Sequence, residues 1–220
     1  MNGRTAVLLG ASGLVGGFCL RTLVADKSYA GIILLNRREL AVAPDRRLSQ
    51  RMVDFENLSA AEFAGAQVVF CSLGTTIRKA GSQEAFRRVD LEYPLAAAKA
   101  ARQTGAKQFV LVSSVGADPL AKNFYLRTKG ELEREISNLG FSTVHILRPS
   151  LLLGKREEFR LGERVAMAAM PLLNFAMLGG LRRYRAISAE SVGRAMVVAA
   201  RREKSGTFIH EYEQIIALAA

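Results

Sequence analysis

The sequence predicts a doubly wound α/β fold, in which helices cover both faces of a parallel sheet. Three observations lead to this prediction. Short runs rich in Val, Ile and Leu alternate with longer helical patterns along the 220 residues, as in repeated βαβ units. These runs are apolar without alternation, which is typical of strands buried on both faces. Half of the residues are apolar and 23% are charged, so the chain can bury a sizeable core.

The first βα unit is the clearest part of this pattern. Residues 6–10 form an apolar run that ends at Gly10, and a helical pattern covers residues 13–25. Further strands are predicted at residues 32–35, 50–53, 68–73, 109–113, 143–147 and 207–212. Further helical patterns cover residues 91–104, 123–139 and 189–202. We expect one domain over residues 1–220, with a core in 1–150 and a smaller C-terminal region, 151–220, over the carboxyl ends of the strands.

The C-terminal region contains the longest uncharged stretch of the chain, the 17 residues 165–181. Pro171 and the pair Gly179-Gly180 interrupt it, and it is too short for a membrane span, so we expect no integral membrane segment. Ligands of open α/β sheets bind outside the carboxyl ends of the strands. We therefore expect residues 165–181 to line a pocket there, with packing in the core as the alternative.

The formal net charge of +11 would suit an anionic partner but does not identify one. The basic clusters at residues 182–185 and 201–202 are typical of solvated faces. Neither a helix-turn-helix pattern nor an aromatic RNA-binding signature accompanies them. We expect no nucleic-acid partner, and a monomer or a homodimer.

Cysteine and histidine usage argues against a disulfide framework and against a metal site. Cys19 and Cys71 each lie inside an apolar run, which predicts buried and reduced thiols. His145 and His210 lie in or near strand patterns and are interpreted as structural. The first residues run directly into a strand without a signal-peptide pattern. Together these features predict a cytoplasmic protein without a metal.

A glycine motif lies at the end of the first predicted strand and opens the first predicted helix. Its spacing is Gly10-x-x-Gly13-x-x-Gly16, in the context that a dinucleotide fingerprint requires. Gly10 would permit the tight turn, Gly13 the approach of a pyrophosphate, and Gly16 close packing of helix on strand. The helix N-terminus then offers free N–H groups and a partial positive charge to the phosphates. A glycine-rich turn without a ligand is the alternative.

Asn36-Arg37-Arg38 follow the second predicted strand, where NAD-binding proteins usually place an acid for the ribose 2′-hydroxyl. Here two guanidinium groups occupy that place, and these can hold a 2′-phosphate by bidentate hydrogen bonds. The sequence therefore favours NADP(H) over NAD(H). A solvated basic turn remains the alternative.

A third signal combines Ser113-Ser114, at a predicted strand end, with Tyr125 and Lys129 on the helix that follows. Residues four apart share one helix face, so Tyr125 and Lys129 project together. An ammonium group close to a phenol favours the phenolate, which lets a tyrosine act as acid or base near neutral pH.

These residues together resemble the short-chain dehydrogenase/reductases, in the atypical or extended branch, and in particular the Tat-interactive-protein (oxidoreductase) family and its bacterial NAD(P)-binding relatives. The resemblance implies a Rossmann-like fold. The segments that carry it are GASGLVG at 10–16, NRREL at 36–40, FCSLGTTIRKAGS at 70–82, FRRVDLEYP at 86–94, LVSSVGAD at 111–118, YLRTKGELE at 125–133 and LRPSLLLG at 147–154.

The resemblance implies three catalytic residues. Tyr125 is the proton donor or acceptor, Lys129 holds the nicotinamide ribose and tunes Tyr125, and Ser114 orients a substrate carbonyl. It also implies a set of residues that border the cofactor: Gly10, Ser12, Gly13, Leu14, Val15, Arg37, Arg38, Asp54, Leu73, Gly74, Thr75, Lys129 and Pro149.

Two departures from the family pattern concern the catalytic group. Ser114 and Tyr125 are eleven residues apart, a shorter gap than in the core members, and Asp90 replaces the Asn of the fuller catalytic tetrad. The leading interpretation is an NADP(H)-dependent oxidoreductase acting on a small carbonyl or alcohol substrate. The alternative is a non-catalytic NADPH-binding protein that regulates or contacts a protein partner.

Overall fold

The computed structural model describes residues 3–153, 179–202 and 204–220, and within them a parallel sheet forms the centre of the molecule. Seven strands lie in the order β3-β2-β1-β4-β5-β6-β9, which confirms the predicted doubly wound fold. Their bounds are β1 Arg4–Leu9, β2 Tyr29–Asn36, β3 Leu48–Met52, β4 Val68–Cys71, β5 Gln108–Val112, β6 Thr143–Leu147 and β9 Gly206–His210. A separate short pair joins β7, Leu152–Leu153, to β8, Ile187–Ser188.

The inner strands are buried on both faces, as their uninterrupted apolar runs predict. In β1, all four residues from Ala6 to Leu9 are fully buried. Leu9 pairs with Leu35 of β2 on one side and with Cys71 of β4 on the other. A strand covered by helices on both faces has no polar side, so its sequence shows no alternation.

Helices pack on both faces of this sheet and create two separate hydrophobic cores. Their bounds are α1 Leu14–Ala25, α2 Ile77–Ala80, α3 Gln83–Arg87, α4 Tyr93–Gln103, α5 Phe124–Ser137, α6 Ala189–Ala199 and α7 Tyr212–Ala219. One face is covered by α1 and α6, and the opposite face by α4 and α5. A single π-helical turn, Arg88–Glu92, joins α3 to α4.

The helix starts follow local capping chemistry. The Asn123 side chain accepts the Leu126 N–H and begins α5, and the Ser188 hydroxyl accepts the Ser191 N–H and begins α6. A side-chain acceptor satisfies a backbone donor that has no partner inside the helix, and it is typically worth about 1 kcal/mol. The cap at Asn123 fixes where the helix carrying Tyr125 begins.

The C-terminal elements depart from the sequence prediction. The predicted strand 207–212 is shorter and earlier, as β9, and α7 follows it at once. Reciprocal hydrogen bonds between Glu211 and Gln214 cap α7, and Ile215 and Leu218 bury its apolar face. The predicted strand 207–212 therefore contains both the end of β9 and the start of α7. The predicted pocket-lining segment, 165–181, lies outside the described residues except for its last three.

Cys19 and Cys71 are both buried in the core, as predicted. Burial penalises a thiolate, so it raises the pKa of Cys71 to about 11 and raises the pKa of Cys19 further. Neither thiol is therefore activated as a nucleophile. Among the described residues, no helix combines the length and apolar character needed to cross a membrane.

Candidate functional site

The strand order reverses between β1 and β4, and this is where an open parallel sheet forms its ligand crevice. The predicted site residues that precede α5 follow the carboxyl end of a strand or lie in the first turn of the next helix. Pro149 likewise follows the carboxyl end of β6. The site is therefore distributed along one edge of the sheet. Tyr125 and Lys129 lie on α5, which starts at the same edge because it follows β5.

The turn after β1 is built around two close approaches that only glycine permits. Gly10 has a φ of +86°, and a Cβ there would lie 2.8 Å from Ser72. On Gly16, a Cβ would lie 2.6 Å from the Ser72 Oγ and closer still to the Gly10 oxygen. The Ser72 hydroxyl donates to the Leu9 carbonyl oxygen at 3.0 Å and fixes the turn against β4.

Gly13 stands at the N-terminus of α1 and faces open space. Its N–H donates to the Gly10 oxygen at 2.9 Å, and a Cβ on it would meet only that oxygen within 4 Å among the described atoms. Ser12 beside it is exposed, whereas the Val15 side chain is buried, so Val15 can offer a ligand only its backbone. The backbone donors of this turn and the first turn of α1 fit an anionic diphosphate.

Arg37 and Arg38 lie exposed on the turn after β2, and Gln50 holds that turn in place. The Gln50 Oε1 accepts from the Leu40 N–H at 3.0 Å and from the Asn36 side chain at 3.2 Å. Its Nε2 donates to the Leu40 carbonyl oxygen at 2.8 Å. The sequence interpretation missed Gln50, although a polar residue within the predicted strand 50–53 is a signal that could have identified it.

Asp54 ends the segment after β3 and is exposed. Hydrogen bonds from the Glu56 N–H, at 2.9 Å, and from the Asn57 side chain lower the pKa of Asp54. Beside it, the rings of Phe55 and Tyr93 stack at 5.7 Å between centroids. They line an open depression of about 380 Å³.

The segment after β4 is tied to a buried carboxylate in the π-helical turn. Asp90 is 1% exposed, and its Oδ2 accepts the Thr75 N–H at 2.7 Å. A Cβ on Gly74 would lie 3.2 Å from the Asp90 Oδ1, so Leu73, Gly74 and Thr75 run closely past this carboxylate.

The same carboxylate forms an ion pair with Lys129. The Lys129 Nζ lies 2.8 Å from the Asp90 Oδ1, and the two side chains are 5% and 1% exposed. Burial alone would lower the pKa of Lys129, but the negative charge of Asp90 and, to a smaller extent, Tyr125 raise it above its usual range. Lys129 is therefore an ammonium ion inside the protein.

Tyr125 lies one helical turn before Lys129 and is half-buried. Its ring packs on Phe86 at 5.6 Å between centroids, which limits where the phenol can point. The structure thus brings together Tyr125, Lys129 and Asp90.

The two serines after β5 differ in their surroundings. Ser113 is 5% exposed, and its Oγ has no hydrogen-bond partner within the described part of the chain. Its N–H still continues the ladder to β6, with the Leu147 oxygen at 2.7 Å. Ser114, the residue assigned from the sequence, is half-buried, and its Oγ lies 3.4 Å from the Val115 oxygen.

Gly130 holds the serine loop against α5. A Cβ on Gly130 would lie 2.6 Å from the Asp118 Cα, so the loop lies directly on the helix backbone. The Asp118 N–H donates to the Leu126 oxygen at 3.2 Å, and the Val115 N–H donates to the oxygen of buried Pro149 at 3.0 Å. Gly130 was also missed, although a glycine inside a helix costs about 1 kcal/mol and requires a reason.

The two histidines contact each other in β6 and β9, the last two strands in the sheet order. The His145 Nδ1 and the His210 Nε2 are 3.0 Å apart between β6 and β9, and both residues are buried. In residues 3–153, 179–202 and 204–220, no group of three or more His, Cys, Asp or Glu could hold a metal ion.

Comparison with known proteins identifies the family. Residues 10–202 match the model of a family described as NAD(P)H-binding. The chain belongs to the NAD(P)H-binding family. The match begins at Gly10 and so covers both the glycine turn and the Tyr125–Lys129 pair.

Relatives of this NAD(P)H-binding protein confirm the resemblance noted from the sequence. The chain is 39% identical to protein HTATIP2 of Rattus norvegicus over 170 residues, which cover 76% of this chain and 70% of the relative. It is 35% identical to the mitochondrial protein FMP52 of Candida albicans over 196 residues, covering 86% and 85% of the two chains.

Solved structures of other proteins share the fold of this NAD(P)H-binding chain. MoeE5 in complex with UDP-glucose and NAD has a TM-score of 0.69 and 16% identity, and the match covers 98% of this chain and 81% of MoeE5. A putative NAD-dependent epimerase/dehydratase from Bacillus halodurans has a TM-score of 0.68 and 17% identity, and the match covers 99% of each chain. At this identity the likeness is one of fold.

The prediction of a cytoplasmic protein is wrong. FMP52 relatives from Candida albicans, Emericella nidulans and Candida glabrata, at 35–37% identity, are named as mitochondrial proteins. The prediction depended on the two cysteines and on the N-terminal pattern, but free cysteines buried in a core, as Cys19 and Cys71 are, do not identify a compartment.

Proposed function

We propose that the protein is an NADP(H)-dependent oxidoreductase that acts on a small carbonyl or alcohol substrate. The observation that carries the proposal is the pairing of Tyr125 with the buried Lys129 ammonium at the carboxyl edge of the sheet. Carbonyl reduction by hydride transfer needs a proton donor close to the dinucleotide site, and a cation beside a phenol makes the phenol a better proton donor. Membership in the NAD(P)H-binding family supplies the class of cofactor.

The residues of the crevice fit such a cofactor. The open space at Gly13 and the free N–H groups of the first turn of α1, from Leu14, suit the pyrophosphate. Asp54 and residues 73–75 would border the adenosine half, and Pro149 and Lys129 the nicotinamide half. When bound, the cofactor supplies or accepts the hydride.

Arg37 and Arg38 support NADP(H) as the preferred form. Both guanidinium groups lie exposed on a turn that Gln50 holds, and no acid accompanies them at positions 36–38. A 2′-phosphate carries charge that a guanidinium fork can bind with two parallel hydrogen bonds, whereas a 2′-hydroxyl gives no such pairing.

The protein's own side chains divide the remaining work. Tyr125 donates a proton to the substrate oxygen during reduction and receives it during oxidation. Lys129 keeps a positive charge beside the phenol and binds the nicotinamide ribose. A serine hydroxyl after β5, from Ser114 or the adjacent Ser113, donates a hydrogen bond to the developing oxyanion.

The alternative, a non-catalytic NADPH-binding protein with a protein partner, is favoured by one observation. The Lys129 ammonium already has a counter-ion 2.8 Å away, so its charge is neutralised inside the protein. A lysine held in this way can serve the structure of the site without serving proton transfer.

Turnover decides between the two functions. NADPH consumption is followed by absorbance with a panel of small aldehydes and ketones, for the unmodified protein, for Tyr125→Phe and for Tyr29→Phe. Tyr29 is a matched control because it lies at the opposite end of the sheet, at the start of β2, and its hydroxyl has no hydrogen-bond partner among the described residues.

We expect turnover by the unmodified protein and by Tyr29→Phe, and loss of nearly all turnover in Tyr125→Phe with NADPH binding retained. Turnover that survives in Tyr125→Phe contradicts the assignment of Tyr125. Tight NADPH binding without turnover on any carbonyl supports the non-catalytic alternative.

A further inference from the structure

The Asp90 side chain joins two parts of the candidate site, the segment after β4 and helix α5. Among the described residues, it alone has both a hydrogen bond to Thr75 and an ion pair with Lys129. One oxygen accepts the backbone N–H of Thr75 at 2.7 Å, and the other lies 2.8 Å from the Lys129 Nζ. The two partners belong to the segment after β4 and to α5. A single buried carboxylate therefore links the strand edge to the helix that carries Tyr125.

The backbone around Asp90 is unusual in a way that serves this contact. Residues 88–92 form a π-helical turn between two α-helices, and Asp90 lies at its centre. Such turns are rare, occur mostly as single turns within α-helices, and are frequent at functional sites. The space beside the carboxylate is also limited, since a Cβ on Gly74 would lie 3.2 Å from the Asp90 Oδ1.

A buried ammonium requires a counter-charge. The Lys129 side chain is 5% exposed, so water cannot stabilise its positive charge. The Asp90 carboxylate supplies that stabilisation directly. An asparagine at the same position could still accept the Thr75 N–H, but it would leave the Lys129 charge unbalanced.

We propose that Asp90 is a positioning residue that sets the charge of the Tyr125–Lys129 pair while it fixes the chain after β4. The proposal rests on the proposed function, because it assigns Asp90 a role in the proton transfer of the same site. The proposal means that Tyr125 and Lys129 both stay protonated to a higher pH with the Asp90 carboxylate than without it.

Within the described part of the chain, three ionisable groups act on the charge of Lys129. They are the Asp90 carboxylate, Tyr125 on α5 and Cys71 at the end of β4. Burial raises the pKa of Cys71 to about 11, so its thiol is neutral near pH 7. With a neutral phenol, the positive charge of Lys129 and the negative charge of Asp90 then cancel.

The sign of the Asp90→Asn effect follows from electrostatics. Removal of a negative charge makes the release of a proton from either neighbour easier. Burial without the counter-charge then favours the neutral form of Lys129. Because the two groups are coupled, the measurable quantity is the pH at which the pair releases its first proton. In Asp90→Asn that pH falls.

The test is an NMR titration of ¹³C-tyrosine and ¹⁵N-lysine side chains in the protein without ligand. Tyr125→Phe and Lys129→Met assign the two signals. We expect the first proton of the pair to leave at a pH lower by about one unit or more in Asp90→Asn. Glu133→Gln is the matched control, because Glu133 forms another buried ion pair of α5, with Arg148, and should leave this titration unchanged.

A second readout is the pH dependence of turnover. The alkaline decline in NADPH-dependent reduction should move to lower pH in Asp90→Asn by the same interval and should not move in Glu133→Gln. A merely structural role of Asp90 would lower activity at every pH without moving this decline. An unchanged or higher pH of first proton release in Asp90→Asn overturns the proposal.

The outcomes separate the two proposals. A lowered NMR titration in a protein that turns over no carbonyl supports the role of Asp90 and contradicts the proposed function. If Asp90→Asn does not fold, the titration of the unmodified protein still decides, because the proposal requires Lys129 to keep its proton beyond the ordinary lysine value of 10.5. Loss of that proton at lower pH contradicts the role of Asp90.

Discussion

Gly130 and Asp118 lie in direct backbone contact, and this contact sets the distance between the serine loop and α5. A Cβ on Gly130 would lie 2.6 Å from the Asp118 Cα and closer still to its carbonyl carbon. Backbone atoms cannot move aside as the end of a flexible side chain can. The loop that carries Ser114 and the helix that carries Tyr125 are therefore positioned by the absence of one methyl group.

Gly130→Ala should accordingly separate the loop from the helix. We expect it to reduce turnover by at least about ten-fold and to destabilise the fold by about 1–3 kcal/mol, although alanine is the better helix former. Urea unfolding and steady-state kinetics measure the two effects. A variant more stable than the original, as helix propensity alone predicts, would contradict the importance of this contact.

Neighbouring glycines of α1 provide an internal comparison. A Cβ on Gly16 would lie 2.6 Å from the Ser72 Oγ. Among the described atoms, a Cβ on Gly17 would meet only the Ala11 oxygen at 3.6 Å, an ordinary contact. We expect Gly16→Ala to abolish measurable NADPH binding, because it displaces the turn at Gly10. Gly17→Ala should bind normally and gain up to about 1 kcal/mol of stability. Calorimetric titration and urea unfolding test both, and similar behaviour of the two variants would contradict the structural distinction.

The sheet could be predicted from the sequence because its strands are buried on both faces. A run such as Ala6 to Leu9 has no polar position, and the glycine turn after it marks where the strand ends. Tyr125 and Lys129 could be paired because helical spacing is local. These features depend on residues at most a few positions apart.

The contacts that complete the site depend on distant residues. Asp90 and Lys129 are 39 positions apart in the sequence (129 − 90), and a π-helical turn, which has no clear sequence signal, brings them together. The role of Gln50 in holding the turn after β2 depends on the register of two paired strands. Helix α7 was missed because its capping residues, Glu211 and Gln214, follow an apolar strand without a glycine or proline between them.

Arg37 is expected to set the preference for NADPH over NADH. We expect Arg37→Ala to weaken NADPH binding by about ten-fold or more, since a charge-assisted pair is lost, and to leave NADH binding nearly unchanged. Arg46→Ala is the matched control, because this exposed arginine lies before β3, away from the carboxyl edge, and its loss changes the net charge equally. Calorimetric titration with both cofactors gives the ratio. Equal affinity of the unmodified protein for NADPH and NADH would contradict the assignment of NADP(H).

The buried histidine pair predicts how stability depends on pH. Burial, together with the nearby His210 and Arg202, lowers the pKa of His145 to about 4. His145 therefore takes up a proton near pH 6.5 in the unfolded chain but only near pH 4 in the folded protein. Its contribution to the free energy of unfolding is full above pH 6.5 and is lost as the pH falls toward 4.

Urea unfolding between pH 7 and pH 4 measures this effect. The loss should be on the order of 1–3 kcal/mol across the interval, and smaller in His145→Phe, which keeps a ring stacked on Phe208 but cannot take up a proton. The comparison of the two proteins removes the contribution of the carboxylates. An equal loss in both would show that His145 does not contribute.

The two serine hydroxyls after β5 differ in their position relative to α5. Phe109 and Leu111 belong to the core on the face covered by α5, and Ser113 follows Leu111 by two residues in a segment still hydrogen-bonded to β6. Its hydroxyl is therefore on the face of α5, buried, and without a partner in the described structure, whereas the Ser114 hydroxyl lies 3.4 Å from the Val115 oxygen. An unsatisfied buried donor is costly unless a ligand completes its hydrogen bond.

We expect Ser113→Ala to lower kcat by about 10²–10³-fold, the range for loss of an oxyanion donor, with little change in the free energy of unfolding. Ser114→Ala should lower kcat less, because its hydroxyl also has a partner within its own loop. Steady-state kinetics and urea unfolding of both variants measure the difference. A larger effect of Ser114→Ala would instead support the residue assigned from the family pattern, since the hydroxyl that matters must be the one that reaches the substrate oxygen.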